Sequence, residues 1–149
     1  MPTSDGVEKH YSHGRLLRAI RDGVEQLGKS PETICVVDLA PVDDFHIGGR
    51  IATQTFLAGL DIGAGDHVLD VGCGLGGASR FVAEQYGCRV TGIDLTAEYV
   101  RTGEVMCAWV GLDDLIALDW QSCQTVRGSL SAATARTSLA VTVPCSERS

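Results

Sequence analysis

HVLDVGCGLGG, residues 67–77, is the stretch that decides the fold of this chain of 149 residues. Its first five residues, His67–Val71, are mostly apolar and β-branched and predict a short buried strand. The glycine loop, residues 72–77, follows at once, and residues 78–86 then have the pattern of a helix. Glycines stand at Gly72, Gly74 and Gly77, which is the spacing G-x-G-x-x-G. Because glycine has no Cβ, such a loop turns tightly and brings its backbone close to a ligand above the helix N-terminus.

The residues that follow repeat the alternation of strand and helix. RVTGID, residues 89–94, predicts a second strand, and Thr96 is a suitable N-cap for a helix over residues 97–110. LIAL, residues 115–118, is the one candidate for a third strand. Strands and helices at these spacings indicate crossover connections and a parallel sheet. The sequence therefore predicts an α/β fold, a partial Rossmann-like doubly wound parallel sheet.

Two acids flank the glycine loop. Asp94 stands at the end of the second strand, 22 residues after Gly72, where a carboxylate can accept hydrogen bonds from both hydroxyls of a ribose. Asp70 lies inside an otherwise apolar strand, and a buried carboxylate needs a partner. Two structural alternatives remain open: Asp70 as a core acid that bonds loop amides, and Asp94 as a solvated acid at a strand end.

VLDVGCGLGG (68–77) and VTGIDLT (90–96) together resemble the first two motifs of class I S-adenosylmethionine-dependent methyltransferases. FHIGGR (45–50) and GCRVTGIDLTAEYV (87–100) also resemble small-molecule methyltransferases of the ubiquinone/menaquinone and sarcosine/dimethylglycine types, and the resemblance covers about residues 32–118. The resemblance implies that the glycine loop, with Cys73, packs against the methionine part of S-adenosylmethionine. It also implies that Asp70 helps to hold the methionine ammonium, that Asp94 binds the ribose and that Leu95 packs on the adenine. By the same resemblance, His46–Gly49 forms a lid, while a loop histidine with an ordinary hydrogen bond is the equally weighted alternative for His46.

The activity implied by this resemblance is transfer of a methyl group from a sulfonium to a small-molecule nucleophile, mainly by positioning. The sequence nominates no general base. Two other functions stay open. One is a dinucleotide-binding domain of an oxidoreductase that takes NAD, and the other is a non-catalytic fragment that pairs with another chain.

The two ends of the chain differ from its middle. Residues 1–60 predict a helical cap, with helices over 15–27 and 50–60 and an extended piece and loop over 34–49. Residues 61–119 predict the cofactor-binding part. Residues 120–149 hold ten Ser or Thr and a single acid, Glu147. This composition suggests a low-complexity tail whose coding sequence has shifted out of its original reading frame. We therefore expect no further strand, an unpaired edge on the first strand, self-association through that edge, and impaired methyl transfer by a truncated fold.

The composition of the chain disfavours several kinds of binding partner. The net charge of −7 disfavours a nucleic-acid backbone, and no run is long and apolar enough for a membrane span. The N-terminal residues carry charges and no apolar signal core, so we expect a cytoplasmic protein. Six cysteines are scattered without a C-x-x-C pair, which favours reduced thiols over a disulfide framework or a metal site. His67, at a strand start, is expected to be structural.

Overall fold

A parallel β-sheet with helices packed against it forms the centre of the molecule. The structure is a computed structural model and describes residues 14–43, 49–121 and 138–142. Its elements are α1 (Arg15–Gln26), α2 (Val36–Asp43), α3 (Gly49–Ala58), β1 (His67–Val71), α4 (Gly77–Tyr86), β2 (Arg89–Asp94), α5 (Ala97–Trp109), β3 (Ile116–Trp120) and β4 (Ser138–Thr142). The predicted helices and strands from α3 to β3 are present, with boundaries shifted by at most two residues.

The sheet has the order β3-β2-β1-β4, and all three pairings are parallel. Val68 of β1 pairs with Val90 of β2, which pairs with Ile116 of β3. These three residues are almost fully buried, as expected of parallel strands covered by helices. Because the strands are parallel, their carboxyl ends meet at one edge of the sheet. The predicted α/β fold with a Rossmann-like parallel sheet is confirmed.

The expectation of an unpaired edge on β1 is wrong. Residues 138–142 form β4, which pairs with β1 from His67↔Ser138 to Val71↔Thr142. The sequence SLAVT is a short apolar and β-branched run, but the Ser/Thr-rich composition around it hid this signal. The N–H and C=O groups on that side of β1 find their partners in β4. The expected self-association depended on an unpaired edge of β1, and this edge is paired with β4. The tail therefore contains a strand.

The extended piece predicted after residue 34 is also wrong, because the chain forms the helix α2 there. Valines at its start favoured a strand interpretation, yet the side chain of Asp38 accepts a hydrogen bond from the Cys35 backbone N–H at 2.9 Å. Such a bond satisfies one of the free donors at a helix N-terminus. Asp38 also forms an ion pair with Lys29 at 2.8 Å, which ties α2 to the end of α1. Local side-chain bonds thus outweigh the β propensity of the valines.

Two apolar clusters form the core, and the glycine loop contributes to both. The cluster on the sheet includes Val68, Cys73, Val90 and Leu118. The second cluster packs the N-terminal helices against the loop and α5, through Ile20, Val24, Ile34, Leu39, Leu75 and Met106. The N-terminal helices therefore cover one side of the loop. The division of the chain at residues 60 and 119 stays a prediction.

The structural expectation for His67 fits its surroundings. At the amino end of β1, its Nε2 lies 2.8 Å from Thr91 Oγ1 of the neighbouring strand. This contact lies at the start of β1, whereas the glycine loop follows its end. Among the described residues, no helix is long and apolar enough to cross a membrane.

Candidate functional site

The glycine loop lies at the carboxyl edge of the sheet, between β1 and α4. Its backbone is left-handed at Gly72, Gly74 and Gly76, with φ values of 75°, 56° and 81°. The backbone N–H groups of Gly72 and Cys73 both donate to the Ile93 carbonyl, at 2.8 and 3.0 Å. The loop is thereby fastened to the end of β2, and its left-handed turns require glycine.

The outer side of the loop is open. A Cβ built on Gly72 or Gly74 would meet no atom within 4 Å. Gly76 differs, since a Cβ there would lie 3.2 Å from Leu118 and 3.3 Å from Arg80. Gly77, the last predicted glycine of the motif, is buried as the first residue of α4. The loop thus offers backbone to a ligand at Gly72 and Gly74 and packs against the core at Gly76.

Asp94 joins the end of β2 to the glycine loop. Its Oδ2 accepts a hydrogen bond from the Gly74 N–H at 2.9 Å, and its Oδ1 accepts one from the Thr96 N–H at 2.8 Å. A carboxylate oxygen can accept a second hydrogen bond, so both oxygens keep capacity for the hydroxyls of a ligand. Because the side chain is half-buried, its orientation is fixed while one part stays accessible.

Asp70 lies in β1, just before the loop, and is only 3% exposed. Its Oδ2 accepts a hydrogen bond of 2.6 Å from Ser79 Oγ, in the first turn of α4. The prediction that this buried carboxylate has a partner is confirmed. At this depth Asp70 presents almost no surface to solvent.

The pKa of Cys73 indicates that both carboxylates lie close to this residue of the loop. Burial raises the pKa of its thiol, and the negative charges of Asp70 and Asp94 raise that pKa further. Both acids therefore lie near the same loop residue, which brings together Asp70, Cys73 and Asp94. The two carboxylates thus place negative charge near this part of the loop, and that charge favours a cationic ligand.

An exposed apolar patch borders Asp94. It consists of Leu95 and Trp120, which are 73% and 60% exposed. The indole Nε1 of Trp120 donates to the Leu95 carbonyl at 2.9 Å, so Trp120 joins the predicted adenine side of the site. Sequence analysis missed Trp120 because the change in composition placed it in the tail. The alternation IALDW, which continues past residue 118, is the signal that could have found it.

His46 lies outside the described residues, and so does most of the predicted lid. Asp119 lies within β3, where its Oδ2 accepts a hydrogen bond of 2.6 Å from the Gln121 side chain. Across the described ranges, no group of three His, Cys, Asp or Glu residues could hold a metal ion.

Known proteins match the part of the chain that carries this site. A probable fatty acid methyltransferase of Pseudomonas putida is 44% identical over 59 residues, which are 40% of this chain and 15% of that protein. Phosphoethanolamine N-methyltransferase 1 of Zea mays is 45% identical over 53 residues, 36% of this chain and 11% of that enzyme. The chain thus spans less than a sixth of the length of either relative.

Part of the chain also aligns with solved structures. The geranyl diphosphate C-methyltransferase of Streptomyces coelicolor A3(2), in complex with Mg²⁺, geranyl diphosphate and S-adenosyl-L-homocysteine, is 27% identical, with a TM-score of 0.45. The alignment covers 48% of this chain and 27% of that structure.

A family model covers more of the chain than any of these alignments. The model of the mycolic acid cyclopropane synthetases matches residues 50–133, which include the whole of the loop, Asp94 and Trp120. The match continues beyond residue 120, where sequence composition had placed the end of the fold. Since it takes in more than half of the residues, the chain belongs to the mycolic acid cyclopropane synthetase family, and the resemblance to class I methyltransferases is confirmed.

Proposed function

We propose that this chain binds S-adenosylmethionine at the carboxyl edge of its sheet and serves methyl transfer to a small molecule. One observation carries the proposal. Two carboxylates, Asp70 and Asp94, flank a glycine loop whose outer side is open at Gly72 and Gly74. The chain's place in its family supports the same conclusion.

The charge of the site distinguishes S-adenosylmethionine from a dinucleotide. S-adenosylmethionine carries positive charge on its sulfonium and ammonium groups, whereas NAD presents an anionic pyrophosphate to a glycine loop. The buried Asp70 acts as a negative charge near Cys73 of this loop. Negative charge there attracts the former ligand and repels the latter. The oxidoreductase alternative is therefore not favoured, which agrees with the methyltransferase relatives.

Each residue of the site then has a task that its geometry permits. Asp94 would accept hydrogen bonds from the ribose hydroxyls with the remaining lone pairs of its two carboxylate oxygens. Gly72 and Gly74 would leave room for the methionine part, and the charge of Asp70 would favour its ammonium. The exposed side chains of Leu95 and Trp120 would cover the adenine, since aromatic and aliphatic faces gain from burial against a base.

Bound S-adenosylmethionine would supply an activated methyl group for displacement by a nucleophile. The chain's own contribution would be to orient that group and to keep water from it. The relatives' names specify a fatty acid, phosphoethanolamine and geranyl diphosphate, so we propose a small-molecule acceptor. The net charge of −7 is consistent with an acceptor other than nucleic acid. We also propose a cytoplasmic location.

Isothermal titration of the full chain with S-adenosylhomocysteine tests the cofactor. We expect saturable binding with one site per chain, and a rise in melting temperature, because a ligand of the native state stabilises it. NAD titrated under the same conditions should give no heat of binding. Binding of NAD with no response to S-adenosylhomocysteine would overturn the proposal.

A further inference from the structure

We propose that Arg80 is the positioning residue of the glycine loop, and that its guanidinium holds the loop in the shape that binds the cofactor. This inference rests on the proposed function above. Arg80 belongs to the second turn of α4 and is 0% exposed. Its Nη1 donates to the Leu75 carbonyl at 2.7 Å and to Cys107 Sγ of α5 at 3.7 Å. One buried cation thus links α4, the loop and α5.

Leu75 is held from three directions. Its side chain is 2% exposed and packs in the cluster formed with the N-terminal helices. Its carbonyl oxygen accepts the bond from Arg80 on one side. On another side α5 comes so close that a Cβ on Gly103 would lie 2.6 Å from that oxygen. The carbonyl therefore lies in a narrow slot between α4 and α5, turned away from the open side of the loop.

The position of this carbonyl sets the conformation of the loop. The Leu75 carbonyl and the Gly76 N–H belong to one planar peptide group and point in opposite directions. With the carbonyl directed at Arg80, the Gly76 N–H donates to the Cys73 carbonyl at 2.8 Å and closes a turn. Gly74 lies inside this turn, and its N–H donates to Asp94. A chain of bonds thus runs from Arg80 to the carboxylate proposed to bind the ribose.

Packing alone does not explain a cation at this position. Removing a guanidinium from water is costly, and an apolar side chain of similar volume often serves a core equally well. What the apolar side chain lacks is a donor for the Leu75 carbonyl. The donor fixes the peptide plane, and a preorganised loop binds its ligand without first losing conformational freedom.

The test compares Arg80→Met and Arg80→Lys with Arg101→Met, a matched control on the exposed side of α5. Two quantities are measured on the full chain: the dissociation constant for S-adenosylhomocysteine, and amide hydrogen exchange without ligand. We expect Arg80→Met to weaken binding about tenfold, the equivalent of one hydrogen bond from a charged donor. Exchange should become faster at Gly74 and Gly76 and stay unchanged at Val90 and Ile93 of β2. Arg80→Lys should recover part of the affinity, and Arg101→Met should change neither quantity.

Gly103→Ala provides an independent route to the same carbonyl. Its new Cβ would lie 2.6 Å from the Leu75 oxygen and 2.7 Å from Leu118 Cδ1, so it would push on both while leaving the Arg80 side chain itself unaltered. We expect the same faster exchange at Gly74 and Gly76 and the same weaker binding. This variant and Arg80→Lys keep the test decisive if Arg80→Met does not fold.

The outcomes separate this inference from the proposed function. If the unaltered chain does not bind S-adenosylhomocysteine, the proposed function fails, and exchange still shows whether Arg80 holds the loop. If exchange rises equally in the loop and in β2, Arg80 only stabilises the fold, and the positioning role is wrong. Unchanged affinity in Arg80→Met, in a chain whose unaltered form binds, also overturns it.

Discussion

The outer and inner sides of the glycine loop use the same residue type for opposite reasons. On the outer side, Gly72 and Gly74 face open space and leave room for a ligand. On the inner side, Gly76 faces the core, as do Gly92 of β2 and Gly103 of α5. A glycine motif read from sequence does not distinguish these two roles. The structure shows that one part of the pattern faces open space and that the other serves packing.

Leu118 is the neighbour that the three inner glycines share. Its methyl groups would lie 3.2 Å from a Cβ on Gly76, 2.6 Å from one on Gly92 and 2.7 Å from one on Gly103. The glycine loop, β2 and α5 thus surround one common space, and the side chain of Leu118 from β3 fills it. The inner side is therefore an interlocked unit, whereas the outer side is held mainly by backbone bonds.

The largest effect is expected from Leu118→Ala. Leu118 is 8% exposed, and its truncation opens a cavity that costs about 2–5 kcal/mol of the free energy of unfolding. Denaturant unfolding of the full chain measures the change. Val37→Ala, at an exposed apolar position of α2, is the control and should change stability little.

Gly92→Ala sharpens this prediction. In the unaltered chain its methyl group would overlap Leu118 and Cys73, at a cost of about 1–3 kcal/mol. In the Leu118→Ala background the overlap with Leu118 is removed and only the one with Cys73 remains, so the double variant should lose less stability than the two single changes added together. Strictly additive free energies would show that a side chain at position 92 does not compete with Leu118 for the same space.

The Asp94→Asn substitution weakens the hydrogen bonds that hold the outer side of the glycine loop. The amide keeps the shape of the carboxylate but loses its charge and one acceptor oxygen, so one of the bonds from Gly74 and Thr96 is lost. We expect S-adenosylhomocysteine to bind about 10- to 100-fold more weakly, the usual range for hydrogen bonds to a charged group. Titration calorimetry measures this, with the exposed Asp113→Asn as control. Equal affinity in both variants would contradict the assignment of Asp94.

Local signals explain how much of this site could be predicted. The run from β1 through the loop to β2 is encoded by apolar alternation and glycine spacing, so its strand boundaries and Asp94 follow from the sequence. β4 was not predicted because parallel pairing joins residues that lie far apart in the chain. The one indication of it in the sequence was that one side of β1 lacked a hydrogen-bonding partner. Trp120 was lost to a change in composition. Arg80 drew no notice, since an arginine in a helix is usually exposed and only packing buries it.

A smaller effect separates backbone strain from lack of space. Gly74→Ala would meet no neighbouring atom, yet its left-handed backbone should cost about 1–2 kcal/mol with a side chain present. Gly65→Ala is the matched control, because that glycine also has open space but its φ is not in the left-handed region. We expect a lower melting temperature for Gly74→Ala alone. Equal melting temperatures would mean that the loop relaxes to accept the side chain.

The smallest effect is expected far from the loop, at the ion pair of Lys29 and Asp38. The hydrogen bond from Lys29 holds the pKa of Asp38 below its usual value, and the Cys35 N–H adds to this. A lowered folded-state pKa means that the stabilisation is present above the ordinary carboxyl pKa and is lost as the pH falls through the folded value. Asp38→Asn should therefore lower the melting temperature slightly at pH 7, and the difference should vanish in acid. Since Asp38 touches neither side of the glycine loop, affinity for S-adenosylhomocysteine should stay unchanged; a loss of affinity would mean that the N-terminal helices transmit strain to the site through Leu75.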